Sequence, residues 1–128
     1  EPIRRQAGEL MGLGDVTDKV IPKISLLSLP ENGGDITSRY FTPLKLHSTH
    51  AVTGACCVAA AAMVKGTIAN SMALRSDKNP RNFVIEHPVG KISVHLKTSG
   101  TGLDTSVLSA GIVRTARLIM RGEVIIPL

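Results

Sequence analysis

Apolar residues recur at helical spacing at Ile3, Ala7, Leu10 and Met11, with Pro2 in front and Gly12 and Gly14 behind. Proline suits a first helical position and glycine a position past the end, so the pattern predicts a short amphipathic helix over residues 3–11. Such a helix needs a surface to lie on. From Lys23 to Leu29 the pattern becomes an alternation around Ile24 and Leu26. Pro30-Glu31-Asn32-Gly33-Gly34-Asp35 then supplies turn residues, and Ile36 to Phe41 resumes the alternation, which predicts a β-hairpin.

The chain from Val52 to Val64 is almost wholly small and apolar, with Ala55, Cys56, Cys57 and Val58 leading into Ala59 to Ala62 and Met63. A helix without a polar face has to be wrapped on most sides, and its small side chains let neighbours come close. Residues 52–64 are therefore the expected central element. Val84 to Glu86 and Ile92 to Leu96 flank His87-Pro88-Val89-Gly90-Lys91 and predict a second hairpin. Residues 107–120 fit both periods, since Ile112, Ala116 and Ile119 suit a helix while Ile112, Ala116, Leu118 and Met120 share a strand face. Arg121-Gly122 before the β-branched run Val124-Ile125-Ile126 favours a third hairpin closed by Pro127.

Composition adds limits. The 128 residues, 43% hydrophobic and 20% charged, describe one ordinary globular domain without repeat or linker. The row begins at Glu1 rather than methionine, so a piece of a longer protein is expected. No stretch approaches the roughly 20 apolar residues of a membrane-spanning helix, and no membrane partner is expected. Cys56 and Cys57 are adjacent, where a disulfide would be strained, which points to an intracellular, cytoplasmic setting. A net charge of +5 favours anionic partners. Two Phe, one Tyr and no Trp leave little to stack on bases, and the cations are scattered, so nucleic acid is not the expected one.

Three stretches carry a resemblance: His50-Ala51-Val52-Thr53-Gly54-Ala55-Cys56, then Glu86-His87-Pro88-Val89-Gly90, then Val113-Arg114-Thr115-Ala116-Arg117 with Gly122-Glu123-Val124. Each is short, but their order and spacing resemble the 2-methylaconitate isomerase and 4-oxalomesaconate tautomerase branch of the diaminopimelate-epimerase-like proteins. The region from Lys19 to Ile36 is also similar. The resemblance implies an α+β fold, a mixed or antiparallel β-barrel-like sheet wrapped around a central apolar helix. It also implies a protein about three times this long, built as two similar halves with the active site between them. Residues 1–128 would be the C-terminal half, with residues 123–128 a strand crossing to the N-terminal half.

The implied activity is a cofactor-free allylic proton shift on an unsaturated di- or tricarboxylic acid such as 2-methylaconitate, aconitate or oxalomesaconate. Its alternative is a non-catalytic binding module of the same fold. Partners would be the polycarboxylate, the N-terminal half and, through exposed apolar strand, further copies of the chain. In the epimerases the catalytic cysteine of this half precedes Thr-Gly-Ala by two residues, where this chain has Ala51. The proton-transferring lysine and cysteine of the isomerase branch are usually carried by the other half, so catalytic residues are expected outside this chain. Cys56 and Cys57 are then expected to be inert thiols in the core.

An allylic shift needs an acid/base group at each carbon and positive potential around the carboxylates. The first turn of the central helix offers backbone N–H groups at Thr53, Gly54 and Ala55, and Gly54 permits close approach, which makes an anion cradle. The bland alternative keeps Thr53 as an N-cap and Gly54 as a packing glycine. His50, and less so His47, could face the cleft and touch ligand. Four histidines without i, i+4 spacing imply no metal site. His87-Pro88-Val89-Gly90 reads as a turn, and Arg114, Arg117 and Arg121 as a solvated face.

Overall fold

The computed structural model describes residues 1–74, 76 and 78–126. Helix α1 (Pro2–Leu10) is followed by strands β1 (Ser25–Ser28) and β2 (Ile36–Tyr40), helices α2 (Val52–Met63) and α3 (Ile68–Met72), and strands β3 (Arg81–His87), β4 (Gly90–Ser99) and β5 (Ser106–Ile112). The strands form one sheet in the order β1-β2-β3-β4-β5. All neighbours are antiparallel except β2 and β3, which run parallel with Ile36 opposite Ile85. The sheet is open rather than barrel-like, with β1 and β5 as its edges.

Helix α2 lies on one face of this sheet against β3, β4 and β5. Ala55, Val58, Ala59 and Ala62 are buried against Ile36, Phe83, Ile85, Val94 and Leu96. Three alanines on that stripe let the helix axis approach closely, so the core is one layer thick. The opposite side is not wrapped: Val52, Thr53 and Cys57 are exposed, because an open sheet covers a helix on one side only.

Two expectations are corrected. Residues 107–120 are strand only to Ile112, and the third hairpin around Arg121-Gly122 does not form. The hairpin is made earlier, through the Ser99-Gly100-Thr101-Gly102 turn, so β5 pairs with β4 and residues 114–126 join no strand among the described residues. Those residues are exposed, Ile125 at 89%. Pro127 and Leu128, the expected end of the strand, lie outside the described residues. In α1, the apolar positions Ile3, Leu10 and Met11 are exposed and the buried residues are Arg4 and Gly8. Arg4 docks the helix by polar contacts: its guanidinium donates to the Glu1 carboxylate at 2.6 and 2.8 Å, and to the carbonyls of Val16 at 2.7 Å, Ile21 at 2.6 Å and Lys19 at 3.0 Å.

The parallel β2–β3 pair is locked at its start. Asp35 N–H donates to Val84 O at 2.7 Å, Val84 N–H donates to Asp35 Oδ2 at 2.7 Å, and Arg81 pairs with Asp35 while covering the Phe83 ring. Among the described residues no helix is long and apolar enough to cross a membrane.

Candidate functional site

The first turn of α2 is the place where backbone polarity, packing and exposure meet. Ala51 is the N-cap, with extended dihedrals and no side chain able to cap. Ala55 N–H donates to Ala51 O at 2.8 Å and closes the turn. Val52, Thr53 and Gly54 therefore hold the N–H groups that lack an intrahelical acceptor, one residue earlier than the trio expected from the sequence. Thr53 lies inside the helix and exposed, not at the cap. No acidic side chain sits in this turn, so the positive end of the helix dipole is left unneutralised by α2 itself.

Gly54 is also a packing residue. A Cβ there would lie 2.4 Å from Cε2 of Tyr40, which caps the α2-facing side of β2. The Tyr40 ring thus forms the floor on which the helix starts, and burial pushes its phenol up. Tyr40, Thr53, Gly54 and Cys57 line one side of a groove of about 600 Å³ whose other side is Met11, Leu13, Ile21, Pro22 and Lys23. Among the described residues, Lys23 is the one charged side chain on that lining. Cys57, expected in the core, is exposed on this groove because it follows Thr53 by one turn on the uncovered side of α2. Cys56 is half-buried, its Sγ 3.8 Å from Ala110 O.

His50 lies beneath the turn and is 6% exposed. Its Nδ1 is 3.0 Å from Ala51 O and its Nε2 is 3.0 Å from Ser38 Oγ. A carbonyl can only accept, so Nδ1 carries the proton and Nε2 accepts from the serine hydroxyl. Burial lowers the His50 pKa below its ordinary value; the Ala51 carbonyl opposes that shift, and nearby His87 and His47 reinforce it. Neutral imidazole is the form this pocket holds. The ring packs against Tyr40 with centroids 4.8 Å apart.

The remaining histidines divide. His47 is half-buried, and its Nδ1 accepts the Thr49 N–H at 3.1 Å. His87 ends β3, its pKa lowered by burial first, and its buried Nδ1 lacks a partner among the described residues. His95 faces the outer side of the sheet toward Asn82. No group of metal-ligating side chains is gathered among the described residues. Arg114, Arg117 and Arg121 are exposed on residues 113–126, away from any packed surface. A second cavity, of about 380 Å³, opens at the other end of α2 beside Ala62, Lys65, Asn70 and Arg81.

Sequence reasoning missed the residue that shapes the neighbouring loop. Glu86 is buried, and its carboxylate accepts N–H groups from Glu31 at 2.9 Å, Asn32 at 2.7 Å and Gly34 at 2.7 Å, together with the Thr37 hydroxyl at 2.8 Å. The N–H of Glu31 leads in holding its pKa at about 2, with Gly34, Thr37 and Asn32 adding to it against the cost of burial. A lone Glu before His-Pro gives no local pattern to mark this role.

Several known proteins are similar to this chain. YbhH of Escherichia coli, which bears an isomerase name without a substrate, is 42% identical over 127 residues, covering 99% of this chain and 35% of its own length. The (4E)-oxalomesaconate Delta-isomerase of a Novosphingobium species is 40% identical over 126 residues, 98% of this chain and 34% of that protein. The chain thus spans about a third of the length of the curated relatives it matches. In the crystal structure of methylitaconate-delta-isomerase, 35% of the chain superposes on 87% of this one with a TM-score of 0.71 at 22% identity, a likeness of fold. The α+β fold is accordingly of the diaminopimelate-epimerase-like kind, in the form of an open sheet with one helix laid upon it. The whole pattern of hairpins around a small-residue helix has a family to which it corresponds: residues 1–127 match the model of the PrpF protein, and the chain belongs to the PrpF family.

Proposed function

We propose that this chain is the C-terminal half of a cofactor-free isomerase that moves a double bond in an unsaturated di- or tricarboxylic acid, of the type of 2-methylaconitate, aconitate or oxalomesaconate. The observation that carries the reading is the uncapped first turn of α2, which opens on a groove in a chain whose relatives are named as isomerases of such acids. In this reading the N–H groups of Val52, Thr53 and Gly54 donate to a substrate carboxylate. Ala55 closes the turn behind them, and His50 supports it from below.

The chemistry divides between the halves. A base removes the acidic proton from a carbon beside the conjugated system, and the electron pair delocalises toward a carboxylate or carbonyl oxygen. An acid then returns a proton two carbons away, so the bond has moved and nothing else has changed. The acid and base belong to the N-terminal half. This chain supplies fixed dipoles where negative charge grows, and preorganised donors of that kind act most strongly on the charged intermediate. Residues 114–126, exposed and in no strand among the described residues, would find their strand partners on the other half, with 123–126 crossing to it.

The test is proton NMR of the whole protein in D2O with each of the named acids. Deuterium entering the two ends of the allylic unit, with conversion to the shifted isomer, is the expected result. Binding of the acids without exchange or conversion would instead identify a non-catalytic module.

A further inference from the structure

One imidazole ties the sheet to the start of the central helix. Ser38 is buried in the middle of β2, and Ala51 is the residue whose carbonyl closes the first turn of α2. His50 donates from Nδ1 to Ala51 O and accepts at Nε2 from Ser38 Oγ, each at 3.0 Å. The same Ala51 oxygen accepts the Ala55 N–H at 2.8 Å, so ring and helix share one acceptor.

We propose that His50 is a positioning residue: by holding the Ala51 carbonyl against β2, it sets the direction in which the N–H groups of Val52, Thr53 and Gly54 point. It acts on carboxylate binding through the backbone, without touching the ligand or carrying a proton. The inference rests on the reading of this turn as the carboxylate-binding wall.

Three observations separate this role from direct contact. The ring is buried, both nitrogens are committed, and Tyr40 covers it at 4.8 Å. A proton carrier needs a nitrogen aimed at the substrate, and His50 has none to offer. The titratable groups around it are Tyr40 of β2, His47 of the preceding loop and His87 at the end of β3, and none of them is an anion that would stabilise imidazolium. The positive end of α2 disfavours it further.

The experiment uses the whole protein and tricarballylate, a saturated tricarboxylate with no double bond to move, with binding read by calorimetry. His50→Phe keeps an aromatic ring on Tyr40 but donates nothing to Ala51, and it should weaken binding about tenfold, the worth of one buried hydrogen bond. His50→Asn places an amide nitrogen where Nδ1 stood and should bind within about threefold of wild type. The pH profile of kcat should be the same for wild type and His50→Asn. Equal binding by wild type and His50→Phe would overturn the inference while leaving the proposed function standing. So would equal weakening by Phe and Asn, or a limb of the kcat profile lost in His50→Asn. Failure of wild type to bind tricarballylate would remove the carboxylate wall, and both readings with it. Should His50→Phe not fold, Ser38→Ala decides: the ring loses its tether to the sheet, weaker binding is expected, and unchanged binding overturns the inference.

Discussion

The carboxylate of Glu86 occupies the space that a side chain at Gly34, fifty-two positions earlier, would need. It accepts the Gly34 N–H at 2.7 Å, and a Cβ on that glycine would lie 2.6 Å from Glu86 Cγ. One acid thus replaces the missing strand partners of the loop between β1 and β2. Because its folded pKa is about 2 against an ordinary 4.5, its contribution is full above 4.5 and is lost as pH falls from 4.5 toward 2. Glu86→Gln should be less stable than wild type at neutral pH and should lack that loss. Urea unfolding at several pH values checks it, and parallel acid curves for the two proteins would refute it.

Histidine protonation acts at higher pH. The folded pKa values of His50 and His87 lie below 6.5, so the unfolded chain takes up protons first as pH falls through 6.5, and stability declines there before Glu86 begins to titrate. His50→Asn should flatten the decline that sets in as pH falls through 6.5, which the same unfolding series measures.

Gly54→Ala should lower stability by about 1–3 kcal/mol, since the new methyl meets the Tyr40 ring at 2.4 Å and the floor of the helix start must move. A double-mutant cycle with Tyr40→Leu checks the cause: the smaller side chain should relieve much of the cost. Additive effects would place the strain elsewhere.

Ala59→Leu should overpack the layer between α2 and the sheet at a cost of about 1–3 kcal/mol, because Ala59 is fully buried. Ala60, half-buried on the flank of the helix, should accept leucine at a smaller cost. Thermal denaturation of the two variants tests the order, and the reverse order would mean that the buried stripe is misassigned.

Cys57 should react with a thiol reagent well before Cys56, since one is exposed on the groove and the other packs toward Ala110. Cys57→Ala in the whole protein should nevertheless keep most turnover. A fall of several orders of magnitude in kcat with folding intact would make Cys57 a catalytic thiol and displace the alignment that puts Ala51 at the epimerase position.

The isolated chain should self-associate. Leu118, Ile119, Met120, Val124, Ile125 and Ile126 are all exposed beyond an edge strand, the combination that promotes strand pairing between molecules. Sedimentation should show association that a chain ending at Ile112 loses. A compact monomer of the 128-residue chain at high concentration would contradict this.

Elements made by local pattern were legible in the sequence. The run of small apolar residues marks α2, and the Pro, Gly and Asn clusters mark the turns of the β1–β2 and β3–β4 hairpins. Arg4 and Glu86 were not, because their partners are backbone groups seventeen and fifty-five positions away, with nothing local to announce them. The β-branched run Val124-Ile125-Ile126 reads as strand because propensity describes what a segment does once it has a partner, and among the described residues it pairs with none. At the candidate site, Thr53 and Gly54 were located by the helix start. The free N–H trio was displaced by one residue because Ala51, the actual N-cap, carries no side chain that sequence reading recognises.

The parallel β2–β3 pair also sets an order of assembly. Strands β3 and β4 are joined by Pro88 and Val89 alone, so their ladder can zip from a turn. Thr37 and Glu86 are forty-nine positions apart, with α2 and α3 between them, so joining β2 to β3 must close a loop costing about 2 kcal/mol more chain entropy than the tight turn. The antiparallel β3–β4–β5 unit is therefore the natural nucleus, and β2 adds to it once the longer loop has closed. Glu86 lies in that nucleus while its hydrogen-bond donors all lie in the part that arrives last. Its substitution should speed unfolding far more than it slows folding.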